Sequence, residues 1–189
     1  MYFMLVCQSP FDAEPALLTY QPDESASGAL RSWKSCKRFA DALPSPIEVT
    51  VDEGESGVLL ELYDANIALM SRRLADVLRA SGVSNVDFYD VVVDDLETKQ
   101  KHVSHVAFNI VGSIAAADLT KSTFSAPDGP MISVDFDGLS IDAQRARGAL
   151  FFRLAESING IVVHERIKKA IDAANIDTLT FLPPDQWVG

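Results

Sequence analysis

The sequence predicts an α+β fold, a single domain in which a mixed or mostly antiparallel sheet packs with a few helices. Stretches with strand-like alternation outnumber helical stretches, and the helices occur at intervals. A doubly wound parallel sheet would instead place a helix after every strand. The chain has 189 residues, of which 48% are apolar, enough for one sizeable core. Residues 1–189 are therefore predicted to form one domain.

The first part of the chain predicts one strand followed by loops. The run MYFMLVC is apolar and has no basic residue ahead of it, so a first strand is favoured over a secretory signal. Residues 21–57 are rich in Pro, Ser, Gly and acids, which is typical of loops around a few short elements.

Two helices are predicted from apolar spacing and capping residues. Ser71 is a good N-cap for a helix over residues 72–80, and Gly82 stands where a left-handed residue ends a helix. Residues 164–174 place their apolar side chains on one face. His164 is expected to cap this second helix, because its ring can accept a backbone hydrogen bond.

Six later stretches read as strands, because their apolar residues alternate or are β-branched. They are VDFYDVVVDDLE, HVAFNIVGSI, MISVDFDG, ALFFRLAES, GIVV and TLTFLPP. The second of these is apolar on both faces and predicts a covered strand. The third alternates Ile132, Val134 and Phe136 with acids, which predicts one wet face.

The stretch AFNIVGSIAAADLTKS, residues 107–122, resembles a functional motif at first sight. A phosphate loop needs a second glycine and a Gly-Lys pair, which this stretch lacks. A nucleophile turn needs glycines on both sides of the serine, but Ser113 is followed by Ile114. A buried strand, with Gly112 as a bulge or a close-packing point, is the better interpretation.

Two carboxylates offer the main candidate for enzymatic chemistry. Asp135 and Asp137 are two apart on a predicted strand and share a face, where they would suit a hard cation or acid and base catalysis. This leaves a small metal-dependent hydrolase or phosphotransfer enzyme as the alternative function. A solvated strand face explains the same alternation and is favoured.

Histidines and cysteines do not predict a metal site or a cofactor. His102 and His105 would project to opposite faces of a strand. Cys7 and Cys36 are far apart with no C-x-x-C pair, which predicts neither a disulfide framework nor zinc. A reducing cytoplasm is the expected location.

The charge balance indicates the kind of partner. The chain carries 27 acidic and 16 basic residues, a net charge of -11, which disfavours nucleic acid and anionic membranes and favours a basic protein. No apolar run approaches the roughly 20 residues of a transmembrane helix. Two acidic groups are the candidate partner-binding surfaces; the first in rank is Asp94, Asp95 and Glu97, and the second is Asp52, Glu53 and Glu55.

Arg153 lies among large apolar residues in LFFRLAE and is expected to be partly buried. A buried guanidinium must be paired. Glu156 or an acid on a neighbouring strand is the expected partner.

The segments SRRLADVLRASGVSNVDFYDVVV, FNIVGSIAAADLTKS and LFFRLAESINGIVVHERIKKAIDAANI, followed by LTFLPP, carry a family resemblance. In order and spacing, the chain resembles a bacterial family first catalogued as a domain of unknown function. That family is now described as immunity proteins of polymorphic-toxin systems, with a myxobacterial namesake. The resemblance spans about residues 67–183, leaving residues 1–60 as a variable amino-terminal part.

The resemblance implies a cytoplasmic protein that binds and neutralises a cognate toxin and has no catalytic residues. The identity of the toxin and the oligomeric state stay open. Within this family-like core, Asn109 is expected to hold a local backbone bond. Asp118, Lys121 and Ser122 are expected to fix the following loop.

Overall fold

A computed structural model describes residues 1–7, 13–21, 32–125 and 134–189. These residues form a single α+β domain of two sheets, a separate two-stranded hairpin and three α-helices. The fold class predicted from the sequence is therefore confirmed. In chain order, the elements are β1 (Tyr2–Cys7), β2 (Leu18–Thr19), β3 (Ile47–Val51), β4 (Leu62–Asp64), β5 (Ala68–Ser71), α1 (Arg72–Ala80), β6 (Val86–Asp95), β7 (Gln100–His102), β8 (His105–Ile110), β9 (Ser113–Ile114), β10 (Thr123–Ser125), β11 (Asp135–Gly138), α2 (Ala143–Ala146), β12 (Phe151–Leu154), β13 (Ile161–His164), α3 (Glu165–Ala173) and β14 (Leu179–Leu182), with a final 3-10 turn at Pro184–Gln186.

The larger sheet is mixed and is built around β6. Its strand order is β2-β3-β6-β8-β5-β4. On the same edge of β6, β8 pairs with the first half of the strand and β7 pairs with its last three residues. The β3 and β6 strands run parallel, whereas the other pairs in this sheet are antiparallel. Every residue of β8 is buried, which confirms the prediction of a strand covered on both faces.

The smaller sheet has the order β14-β1-β13-β12-β9 and is covered on both faces. One face packs in the main core with the larger sheet and with α1 and α3, through residues such as Leu5, Phe151 and Val163. The neighbouring residues Met4, Phe152 and Val162 face a second core. There they pack with Phe136 of the β10–β11 hairpin and with the indole of Trp187. This strand alternation joins the two cores into one domain.

The helix predictions are confirmed to within one residue. The Ser71 hydroxyl accepts a hydrogen bond from the Leu74 amide at 3.1 Å, and Gly82 has a φ of 88°, as expected for the two ends of α1. The Nδ1 atom of His164 accepts from the Arg166 amide at 3.2 Å and caps α3. The short α2 is not predicted by the sequence. No helix in the described ranges is long and apolar enough to cross a membrane.

The six later stretches and the first run all contain strands, as predicted. In β11 the predicted alternation is present, since Val134 and Phe136 are buried and Asp135 and Asp137 are exposed. Ile132 of the same prediction lies outside the described residues. The loop-rich region, residues 21–57, contributes β3, one of the short elements expected there, and β2 lies just before it.

The expectation for Gly112 needs correction. Its φ is 86°, and a Cβ built at this position meets nothing within 4 Å, so close packing does not require the glycine. Gly112 instead connects β8 of the larger sheet to β9 of the smaller one. A left-handed backbone at this crossover favours glycine because other residues are strained there.

Candidate partner-binding surface

The two acidic groups meet at one end of the larger sheet, although their first members, Asp52 and Asp94, are 42 residues apart in the chain. The parallel strands β3 and β6 end together, with Val51 opposite Asp95. Beyond them, the Gly54 amide donates to Oε2 of Glu97 at 3.1 Å, and the Leu96 amide donates to the Val51 carbonyl at 3.0 Å. We call the resulting surface the acidic end; it comprises Leu17, Asp52, Glu53, Glu55, Asp94, Leu96 and Glu97.

Asp95 belongs to the scaffold beneath this surface. Its side chain is buried, and Oδ1 accepts from the Ser56 hydroxyl at 2.8 Å and from the amides of Glu97 and Thr98 at 3.1 and 3.0 Å. These hydrogen bonds, the Thr98 amide first, hold the pKa of Asp95 below its usual range. The carboxylate thus fixes the turn between β6 and β7.

The remaining acids differ in how far they are engaged. Within the described part of the chain, the exposed carboxylates of Glu53 and Glu55 have no hydrogen-bond or ion-pair partner. Asp52 accepts one bond, from the Thr19 hydroxyl at 3.0 Å. Asp94 pairs with Lys101 at 3.1 Å, which offsets part of the local charge. The carboxylates most available to a partner therefore lie in the segment after β3.

Two exposed leucines lie among these acids. Leu17 is 56% exposed and Leu96 is 42% exposed. The Leu17 amide donates to the Glu55 carbonyl at 3.1 Å, which places Leu17 beside the free acids, and Leu96 is flanked in sequence by Asp95 and Glu97. Protein interfaces have an apolar centre within a polar rim, and charged rims steer the approach of a partner.

Sequence reasoning missed both leucines and the meeting of the two acidic groups. An apolar residue between two acids in a turn was a usable signal for Leu96. For Leu17 there was none, because its position depends on how residues 13–21 pack against the segment after β3.

Arg153 is fully buried, at 0% exposure, and it is paired, as predicted. The partner is Asp64 of β4; Glu156 is not the partner, since its Oε1 atom accepts from the Ala117 amide at 3.2 Å. The guanidinium binds both oxygens of Asp64, at 2.9 and 2.6 Å, and also donates to the Ile158 carbonyl at 2.9 Å. This bidentate pair joins the smaller sheet to the larger one.

The residues after β9 form the loop that the family resemblance implied. Asp118 accepts from Thr120 and from Lys121, the latter at 2.7 Å, while the Ser122 hydroxyl donates to the Asp118 carbonyl at 2.8 Å. Hydrogen bonds from Lys121 and Thr120 lower the pKa of Asp118 to about 2. The Asn109 bond is not local, because its Nδ2 atom donates to the Lys37 carbonyl at 2.8 Å, 72 residues away.

The other side chains considered for catalysis or metal binding do not lie together. Asp135 and Asp137 lie exposed on β11. Among the described residues, no three His, Cys, Asp or Glu side chains are grouped to hold a metal ion. His105 is buried at the start of β8, where Nε2 contacts the Leu60 carbonyl at 2.9 Å and Nδ1 contacts the Ser104 hydroxyl at 3.0 Å. Burial lowers the pKa of this histidine.

Exposed leucines with carboxylates around them can form the apolar centre and charged rim of a protein-binding surface. Comparison with family models identifies the family of the chain. The model of the Immunity protein family (Imm11) matches residues 5–184, so the chain belongs to that family. The matched range includes the amino-terminal third as well as the part with the sequence resemblance.

A search of curated proteins returned no match. The family assignment therefore rests on the model match over nearly the whole chain. Membership of this family supports an immunity role for the chain and implies a toxin as the partner.

Proposed function

We propose that this immunity protein binds and neutralises a cognate toxin of a polymorphic-toxin system through the acidic end. The toxin presents a basic surface, and the chain acts by binding alone, without catalysis. The observation that carries this proposal is the joining of two distant acidic segments into one exposed surface by the bond between Gly54 and Glu97.

Three features support this surface over the rest of the molecule. The carboxylates of Glu53 and Glu55, which have no partner among the described residues, can pair with cations on a toxin. Leu17 and Leu96 add apolar area that a partner would remove from water. Asp95 and its three hydrogen bonds hold the β6–β7 turn in place, so less ordering accompanies binding.

The proposed location is the cytoplasm, where an immunity protein protects the cell that makes both proteins. Neither Cys7 nor Cys36 forms a disulfide, which agrees with a reducing compartment. We further propose that residues 67–183 form the family-like core and that residues 1–60 are its variable part. This division concerns sequence alone, because β1 lies inside the smaller sheet.

The test is protection of growing cells. The protein encoded beside this gene is expressed with and without the chain, and we expect growth arrest only when the chain is absent. The triple variant Glu53→Gln/Glu55→Gln/Glu97→Gln should protect less well at equal expression. A matched control, Asp76→Asn/Asp135→Asn/Asp137→Asn, removes three exposed charges elsewhere and should protect fully. Full protection by the first variant would remove the acidic end from the proposal.

The same control addresses the alternative function. If Asp135 and Asp137 bound a metal for hydrolysis or phosphotransfer, their amides would abolish protection, and divalent ions would raise the melting temperature of the wild type but not of the control. We expect neither result, because both side chains lie on an exposed strand face.

A further inference from the structure

A groove of about 790 Å³ lies at the end of β6 opposite to the acidic end. One wall is the turn after α1, the second is β9 with Ala115, and the third runs from the end of α2 into β12. The Asn85 side chain ties the first wall to the third by donating to the Phe151 carbonyl at 3.0 Å. The volume is in the range of small-molecule sites.

The charge of this groove differs from that of the chain as a whole. None of its lining residues is acidic, and two of them, Arg145 and Arg147, are cationic. Four other depressions in the described ranges each include a carboxylate. On a chain of net charge -11, a groove without acids is the place where an anion meets the least repulsion.

Arg147 is the cation available to a ligand. Arg145 is already held, since it pairs with Asp142 at 3.4 Å and donates to the Ala117 carbonyl at 3.0 Å. Arg147 is exposed and makes no hydrogen bond or ion pair with any residue that the structure describes. Its left-handed backbone, with a φ of 49°, ends α2 as a C-cap, so Arg147 follows directly on the helix that forms this wall of the groove.

The remaining side chains suit a ligand that is only partly polar. Ser84 and Ser113 bring hydroxyl groups to the groove, while Ile114, Ala115 and Leu150 provide apolar surface. A hydroxyl can donate to an anion, and apolar walls are stabilised by covering a hydrocarbon or aromatic body.

We infer that this groove binds a small organic oxyanion, with a carboxylate or a phosphate on an apolar body, and that Arg147 pairs with the anionic group. The inference goes beyond toxin binding. The groove lies beside Val86 and the acidic end lies around Asp95, at the two ends of β6 with its 10 residues, a span of about 30 Å at the usual rise per residue.

The test is calorimetric titration of the full chain at constant ionic strength. Phenyl phosphate and benzoate carry an anion on a ring, inorganic phosphate and acetate carry the anion alone, and benzyl alcohol carries the ring alone. We expect saturable binding of at least one aromatic anion, and clearly weaker binding of the other three probes. The better of the two aromatic anions identifies phosphate or carboxylate as the source of the charge.

Two variants, each with a matched control, test separately the charge and the shape of the groove. Arg147→Gln should raise the dissociation constant about tenfold or more, the usual effect of losing a charged hydrogen bond. Arg166→Gln should leave it unchanged, because this arginine of α3 is exposed and its side chain has no partner in the described ranges. Ala115→Trp should block the groove, and Ala173→Trp on the exposed face of α3 should not. Failure of both aromatic anions to bind, or equal binding to the Arg147 variant, would overturn the inference.

Discussion

Arg153 and Asp64 form a two-point ion pair across the two sheets, although they are 89 residues apart in the chain. Lys34 approaches the same carboxylate at 3.7 Å and donates to the Asn159 side chain at 2.9 Å. A guanidinium at 0% exposure has lost its hydration shell, so its stability depends on these partners. The pair therefore fixes the position of β4 against β12.

Removing either partner should destabilise the fold strongly. We expect Arg153→Ala and Asp64→Asn each to lower the free energy of unfolding by about 3 kcal/mol, because a charge is left without its buried partner. Arg153→Lys should be intermediate, since an ammonium cannot bind both oxygens in the same geometry. Urea denaturation measures the change. Lys169→Ala, at an exposed pair with Glu165, is the control and should cost under about 1 kcal/mol.

The N-cap of α1 gives a prediction that reverses the usual order of capping residues. Ser71 accepts from the Leu74 amide and also donates to Oε2 of Glu61. Ser71→Ala should cost about 1 kcal/mol. Aspartate is normally a good N-cap, but here its carboxylate would face that of Glu61, so Ser71→Asp should cost more than Ser71→Ala, and Ser71→Asn less. Thermal unfolding ranks the three; an aspartate variant as stable as wild type would contradict the reasoning.

His105 should make stability depend on pH. Burial lowers its pKa in the folded chain below the ordinary 6.5. As pH falls below about 6.5, the histidine of the unfolded chain takes up a proton while the buried histidine of the folded chain does not. The free energy of unfolding is therefore highest above about pH 6.5 and declines below it. His105→Gln should cost stability at about pH 8, by losing the ring contacts, and the gap to wild type should narrow towards about pH 5. His164 remains in both proteins and cancels in this comparison.

Salt should act on the formation of the toxin complex more than on its lifetime. If the acidic end steers a basic toxin, raising the salt from about 50 mM to about 500 mM should lower the association rate roughly tenfold and change the dissociation rate little. The Glu53→Gln/Glu55→Gln/Glu97→Gln variant should associate more slowly at low salt and depend less on salt. Asp95 stays unchanged in this variant because it supports the turn. Surface plasmon resonance gives both rates, and a wild-type association rate for the variant would exclude steering by this surface.

Elements whose formation depends on neighbouring residues were predictable from the sequence. The helix after Ser71 and the alternation in β11 are examples, because capping groups and side-chain periods are properties of short segments. Burial of Arg153 was also predictable, since its neighbours are large and apolar. Its partner was not, because Asp64 reaches it only through the packing of two sheets.

Regions rich in loops were where the sequence revealed least. Trp33, at 2% exposure, has ring contacts with Phe39 and Tyr89 at 4.9 and 5.8 Å between centroids, so a segment predicted as loop supplies part of the main core. The acidic end was also not predictable from the sequence. Both acidic groups were visible, but their meeting depends on the parallel pairing of β3 and β6, and parallel partners leave no local signal.

The proposed docking surface lies within a few residues of the core. Val51 and Val93, inside β3 and β6, are buried, whereas residues 52, 53, 55, 96 and 97 are exposed. Substitutions at these five positions would alter charge and shape at the acidic end and leave the core intact. A combinatorial library restricted to them would hold Asp95 and the left-handed Gly54 constant, and we expect it to yield folded proteins. If the toxin docks there, an immunity gene could follow mutations in its toxin by changing five codons.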